Sequence, residues 1–289
     1  MSPDAVPSKE PYRMEFDVGT IKHLGLQMYS TLPPVIGELV ANGWDANATK
    51  VEITIPEDPI EEQTSEIIIS DDGIGMSDEE VRKKYLIVGR DRRENEGDDV
   101  TSSPYYRKIM GRKGIGKFSA FGIAKEIDVE SVKDGEVSHF RMNYDELLKK
   151  ATDRSIEFPP LDSTGTVSKG TKIILRHITK FKTRSISIER IRRGLARRFA
   201  VIGVQQDFEV VINGIPITPE DRDLKRLLEG GMDGKPYLWE YDDEEIQSET
   251  GWTVSGWIGA LNRTTTSNID GIDRGIALMA RGKLVQEPF

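Results

Sequence analysis

Glu38, Asn42 and Asp45 recur at steps of four and three residues in Glu38-Leu-Val-Ala-Asn42-Gly-Trp-Asp45-Ala46, the stretch that most constrains how this chain can fold. On a helix of 3.6 residues per turn, such steps lie along one face. Val35, Ile36, Leu39 and Val40 fill the remaining directions, so a helix over 34–47 has an apolar back to bury and a polar front. Pro33-Pro34 suits its first turn. No Lys or Arg lies nearby to neutralise the front, which reads as a site. From this stretch alone, a solvated surface helix is the alternative.

Two short strands follow, an alternating one over 51–55 and Ile67-Ile68-Ile69 within 66–70, with an acidic loop between them. The second runs straight into Asp71-Asp72-Gly73-Ile74-Gly75-Met76. Alternate glycines let the backbone turn and approach a ligand closely, and an Asp at a strand end can face a cavity. Asp-Gly is also an ordinary turn signal, so both readings stand here. Ser77-Asp78-Glu79-Glu80 has the pattern of a helix capping box opening 81–88.

Residues 89–104 are charged and too long for an ordinary connection, which predicts a lid or disorder. Beyond them, Gly111-Arg112-Lys113-Gly114-Ile115-Gly116-Lys117 precedes an apolar helical stretch over 118–124. Glycines, lysines and a helix start are what a phosphate cradle needs. A flexible basic loop is the competing reading. The segment fits the first seven positions of a Walker loop, but Phe118 stands where a hydroxyl must hold magnesium, and 105–110 does not read as a buried parallel strand. The dinucleotide fingerprint fails for want of a third glycine at its spacing.

Runs over 127–132 and 137–142 flank Lys133-Asp134-Gly135 as a hairpin, a helix is expected over 144–150, and Gly170-Thr171 opens a strand to Leu175. The first domain is therefore α+β, helices on one face of a largely antiparallel sheet. Residues 186–201 form an amphipathic helix whose arginines, Arg192 and Arg193 among them, read as a solvated face pairing with acids or as a nucleic-acid patch. After residue 203 come strands over 208–212 and 215–217 about Asn213-Gly214, and further strands over 252–261 and 275–279.

The 289 residues allow one large or two modest domains. We expect a flexible leader or dimer strap at 1–18, a first domain at 19–203 and a second at 204–289, with a short helix holding His23 over 19–29. The absence of cysteine removes disulfides, thiolate metal sites and cysteine nucleophiles. A net charge of −9 disfavours a surface coated for nucleic acid, while no apolar run is long enough for a membrane helix, so a cytoplasmic protein is the expectation.

In this order, the polar-faced helix, the Asp71–Met76 turn, the lid, the Gly-Lys loop and the Gly170-Thr171 strand start resemble the ATP-binding domain of the GHKL superfamily. That superfamily includes gyrase subunits, heat-shock chaperone ATPases, sensor histidine kinases, MutL and MORC proteins, and the helix motif looks most like the MutL and MORC version. The resemblance covers roughly residues 20–175. It implies a two-layer α+β sandwich, the Bergerat fold, followed by the start of an α/β transducer-like domain.

The resemblance further implies an Mg2+-dependent ATPase with ATP and Mg2+ as cofactors. Glu38 would be the general base, a role a carboxylate facing a closed cavity suits. Asn42 would bind magnesium through its amide oxygen. Asp71 would accept from the adenine amino group, with Gly73, Gly75, Met76 and Thr171 shaping the base pocket. Gly114, Ile115 and Gly116, with Lys113 or Lys117, would cradle the phosphates, and Asp45 would support them from behind. Relatives also use a transducer lysine on the γ-phosphate; Lys283 is a weak match, which implies slow turnover. The implied partners are ATP and a second copy joined in an ATP-dependent homodimer. The implied output is DNA-associated (repair, restriction or defence), with DNA as a partner and no membrane; a chaperone-type ATPase is the alternative.

Overall fold

A computed structural model describes residues 11–15, 32–87, 100–111, 116–149, 155–179, 186–199, 201–202, 207–222, 237–241, 256–260, 278–280 and 283–286. The first helix, α1, runs Leu32–Asp45 with Pro33 and Pro34 in its opening turn. It buries Val35, Ile36, Leu39 and Val40, each worth about 1.5–3 kcal/mol against leaving it in water. Asn47 ends the helix by taking a left-handed φ of 58°, while the Ala48 N–H donates to Gly43 O and the Asn47 N–H to Trp44 O. This is a Schellman closure with Asn in place of the usual glycine.

α1 lies on a seven-stranded sheet. Its strands are β2 (Lys50–Thr54), β3 (Ile67–Asp71), β4 (Ala124–Lys133), β5 (Glu136–Asn143), β7 (Gly170–Ile178), β8 (Glu209–Ile212) and β9 (Ile215–Pro216), in spatial order β5-β4-β7-β3-β2-β8-β9. Every pairing is antiparallel except β2 with β8. The chain thus has the α+β two-layer architecture, the Bergerat sandwich.

Strand register sorts the side chains into rows, because cross-strand partners share a face of a sheet. Ile53, Ile69, Ile173, Val129 and Phe140 form one row under the helices, and Ile67, Leu175, Ile127 and Met142 form the next. The opposite face is polar: Asp128 there is buried and receives both Arg141 and Arg176. One face apolar and the other largely polar is the antiparallel pattern that alternating sequence predicts.

Several expectations shift. Tyr12–Glu15, inside the expected leader, is strand β1 and pairs with β6 (Ser155–Phe158); Tyr12 is buried against Phe140 with the Arg82 guanidinium over its ring. The capping box at Ser77 and Glu80 forms, but it opens a single turn, Asp78–Glu80, that continues as a π-helical turn, Val81–Tyr85. The helical stretch expected at 118–124 is a 3-10 helix, Gly116–Gly122, ending where β4 begins. Residues 100–104, expected as loop, belong to an anchored turn in which Val100 bridges Lys108. The helix expected over 19–29 and the loop at 88–99 lie outside the described residues.

The helix α2 (Tyr144–Lys149) follows β5, and α3 (Ile188–Arg198) packs beside α1 on Ile191, Leu195 and Ala196. β8 follows the division expected at residue 203 and yet hydrogen-bonds to β2 of the first sheet. Asn213, in the β8–β9 turn, prolongs that pairing: its amide accepts from Ile55 N at 2.8 Å and donates to Ile55 O at 2.9 Å. Two further antiparallel pairs are described, β10 (Tyr237–Tyr241) with β11 (Gly256–Ala260) and β12 (Leu278–Ala280) with β13 (Lys283–Gln286). They fall in part on the strands expected over 252–261 and 275–279.

Candidate active site

The polar front of α1 faces the glycine-rich segment. A Cβ placed on Gly116 would stand 2.7 Å from Glu38 Oε2, and one on Gly111 would stand 2.9 Å from Asp45 Oδ2. A side chain at either position would push aside the carboxylate it faces. Asp45 is bound to it directly: Oδ1 accepts from Met110 N and Oδ2 from Gly111 N, both at 2.8 Å. Two N–H donors to a carboxylate make a stiff clamp between helix and loop. Glu38 is half-buried and Asn42, one turn on, is exposed. Lys113, Gly114 and Ile115 lie outside the described residues, as does the side chain of Lys117.

The turn ahead of the loop is fixed from the same end of α1. Arg107, fully buried, donates to Ala48 O and lies among the rings of Trp44, Tyr105 and Phe208, its guanidinium carbon 4.5, 4.3 and 5.4 Å from their centroids. Desolvation lowers its pKa, and stacking on aromatic faces offsets part of the cost of burial. Trp44 Nε1 donates to Lys108 O at 3.0 Å, and Asn47 Nδ2 donates to Ser102 O at 3.0 Å.

The second half of the site is the terminal row of the sheet. Val51, Asp71, Thr171 and Ser131 are successive cross-strand partners on β2, β3, β7 and β4. This row lies beneath α1 at Gly43, whose Cβ position is 2.8 Å from Val51 Cγ2 and 3.3 Å from Asp71 Cβ. Ser138 of β5 continues the row beyond Ser131, so four polar side chains end a face that is otherwise apolar. Burial pushes the Asp71 carboxyl up to about 7, against the opposing pull of the Gly73 and Thr171 N–H groups. The Gly73 N–H donates to Asp71 Oδ1 at 2.9 Å. Its neighbour Asp72 points away and takes Thr49 N and Lys50 N at the start of β2, so the adjacent carboxylates do different work.

Gly75, at φ 67°, brings the turn against β4, where a Cβ would meet Val132 O at 2.1 Å. Half-buried Met76 is held there by Ser131: its N–H donates to Ser131 Oγ at 2.9 Å. The Ser131 hydroxyl also meets Thr171 Oγ1 at 2.9 Å and Gly170 O at 3.2 Å.

Sequence reasoning missed Ser131, Gly43, Asn47 and Arg107. A mid-helix glycine such as Gly43 costs about 1 kcal/mol against Ala, a signal of close approach that was there to be read. Ser131 interrupts an apolar strand, and Arg107 looks like any surface arginine until its aromatic neighbours assemble.

Residues 29–172 match the family of histidine kinase-, DNA gyrase B- and HSP90-like ATPases. The chain belongs to the GHKL ATPase superfamily. The match spans α1, the Asp71–Met76 turn, the glycine-rich segment and the start of β7. Across 97% of its length the chain is 33% identical to the "Putative type II restriction enzyme HgiDII" of Herpetosiphon aurantiacus, of which it covers 46%. It is 24% identical to the chaperone protein HtpG of Alcanivorax borkumensis over 83% of the chain and 40% of that protein. With the HtpG of Gluconobacter oxydans, identity is 28% over 44% of the chain and 23% of the relative. The chain spans less than half the length of each of these relatives. No described helix is long and apolar enough to cross a membrane.

Proposed function

We propose that this GHKL domain binds ATP with Mg2+, hydrolyses it, and uses the cycle to drive ATP-dependent pairing of two copies. The carrying observation is the arrangement around α1: Glu38 against Gly116, Asp45 clamping Met110 and Gly111, and Asp71 with Thr171 at the sheet's end. The residues fit the cofactors. Gly116 leaves room beside a carboxylate where a side chain would collide, and the exposed Asn42 offers an amide oxygen, a hard ligand suited to magnesium.

In this reading the Asp71 carboxylate accepts from the adenine amino group, and Gly73, Gly75, Met76 and Thr171 wall the base. Lys113, Gly114, Ile115, Gly116 and Lys117 hold the phosphates. Glu38 orients water and takes its proton. Bound Mg2+ supplies charge neutralisation on the phosphate oxygens. Triphosphate makes contacts with the loop that diphosphate lacks, which is the differential affinity a switch requires.

The output we favour is DNA-associated, supported by similarity to the restriction-enzyme relative along nearly the whole chain. The HtpG relatives favour a chaperone-type ATPase as the second reading. ATP turnover and equilibrium binding of the wild type, Glu38→Ala and Asp71→Asn test the site. Glu38→Ala should bind ATP without turning it over, and Asp71→Asn should bind weakly. Equal turnover in Glu38→Ala sinks the base assignment, and unchanged affinity in Asp71→Asn sinks the base pocket. Sizing with a non-hydrolysable ATP analogue must show a mass doubling, or the pairing is wrong.

A further inference from the structure

We infer that Ser131 is a positioning residue that sets nucleobase choice: it draws the Thr171 hydroxyl proton to itself, so that Thr171 faces the base as an acceptor only. The inference rests on the proposal that Asp71 and Thr171 wall a purine pocket, and it adds a residue and a rule of selection to it.

A serine hydroxyl has one proton to give and two lone pairs with which to accept. Ser131 Oγ has three partners, Met76 N, Gly170 O and Thr171 Oγ1. An N–H can only donate, so Met76 takes one lone pair. A carbonyl can only accept, so Gly170 O takes the proton. With all three contacts made at once, what remains on Ser131 is a lone pair, and Thr171, the third partner, donates into it. The group is fully buried, Ser131 at 0% exposure and Thr171 at 9%, so leaving any of these bonds unmade is expensive.

With its proton committed, Thr171 Oγ1 has only lone pairs left. Register places Thr171 directly beside Asp71 on the same face, and Asp71, as the carboxylate it becomes above about pH 7, is also an acceptor. The wall is therefore two acceptors side by side. An exocyclic amino group, with two N–H donors, satisfies both. A 6-oxo purine sets its O6 acceptor against two acceptors, its N1–H can answer only one of them, and it is disfavoured. Without Ser131, the Thr171 hydroxyl is free to rotate and donate towards a 6-oxo group.

The test measures the affinities of ADP and inosine diphosphate, with Mg2+, for the wild type, Ser131→Ala, Ser131→Thr and Thr171→Val, with a melting curve for each. The wild type should prefer ADP by about a hundredfold, as expected of a site whose polar groups are matched to the ligand. Ser131→Ala should shrink that ratio by about tenfold, the scale of one buried hydrogen bond, and Ser131→Thr, which keeps the hydroxyl, should restore it. A folded Ser131→Ala with the wild-type ratio overturns the inference while leaving the nucleotide site standing. Wild-type protein that binds neither nucleotide overturns the site and the inference together. Should Ser131→Ala fail to fold, Thr171→Val decides: it must lose ADP affinity without gaining inosine diphosphate, and unchanged ADP affinity overturns the inference.

Discussion

Gly116 sits so close to Glu38 that a methyl group on it would lie 2.7 Å from the carboxylate oxygen Oε2. The atom it would strike is the far end of a flexible side chain, so Gly116→Ala can fold by turning the carboxylate aside. We expect a melting temperature within a few degrees of wild type and ATP turnover lowered by about tenfold or more, since misplacing the proposed base costs rate before stability. Steady-state hydrolysis beside a thermal melt reads both.

Asp45 holds two backbone N–H groups at once. In Asp45→Asn one of them would face an NH2 group, at a cost of about 1–3 kcal/mol. Hydrogen exchange at Met110 and Gly111 should accelerate by about tenfold or more, and ATP should bind more weakly, while the amides of β4 keep wild-type protection. Unchanged exchange at those two amides would contradict the clamp.

Asp71 carries a pH dependence whose sign is fixed by its raised pKa of about 7. Between the unfolded value of about 4 and this folded value, the native state holds a proton that the unfolded state has released. Its contribution to stability therefore falls as pH rises through that window, by up to about 1.4 kcal/mol per pH unit, and levels off above about 7. The proposed adenine recognition runs the other way, because an amino group needs the carboxylate form. ADP affinity should climb by up to about tenfold per pH unit below about 7 and then flatten. Asp71→Asn should abolish both slopes, as chemical denaturation and calorimetric titration across pH 5 to 8 would reveal.

Arg192 and Arg193 are neighbours on α3 with unequal tasks. Arg192 is mostly buried and grips Asp221 Oδ2 and Pro216 O at 2.7 Å and Ile215 O at 3.0 Å. Arg193, exposed, pairs with the exposed Glu189 one turn away at 2.8 Å. Arg192→Ala should lower stability by about 2–3 kcal/mol, and Arg193→Ala by no more than about 0.5 kcal/mol. Any loss of DNA binding in Arg193→Ala that is largest at low salt and shrinks as salt rises can then be credited to the surface; the same loss in Arg192→Ala cannot.

What was legible in the sequence was local. Asp71 at a strand end, the Ser77–Glu80 box and the Asp134-Gly135 and Asn213-Gly214 turns depend on residues a few positions apart, and each forms near its expected place. The helix 3.6-residue pattern also put Glu38, Asn42 and Asp45 on α1. Ser131 was not legible because its partners, Met76, Gly170 and Thr171, come from other strands and a turn, and only register unites them. Arg107 was missed for a related reason: composition says exposed, and burial is settled by rings from three separate segments. β1 and β6 escaped because each is four residues long and neither has a pattern apart from the other.

The parallel pairing of β8 with β2, prolonged by the Asn213 amide, has a bearing on how the protein can be divided. Scission at residue 203 would strip β2 of its outer neighbour and leave its N–H and C=O groups along Lys50–Thr54 as an open rim, the kind of surface through which chains stick to one another. Keeping residues 207–217 would leave that rim sealed, so the smallest well-behaved fragment holding the proposed nucleotide pocket must borrow its last two strands from beyond the apparent seam.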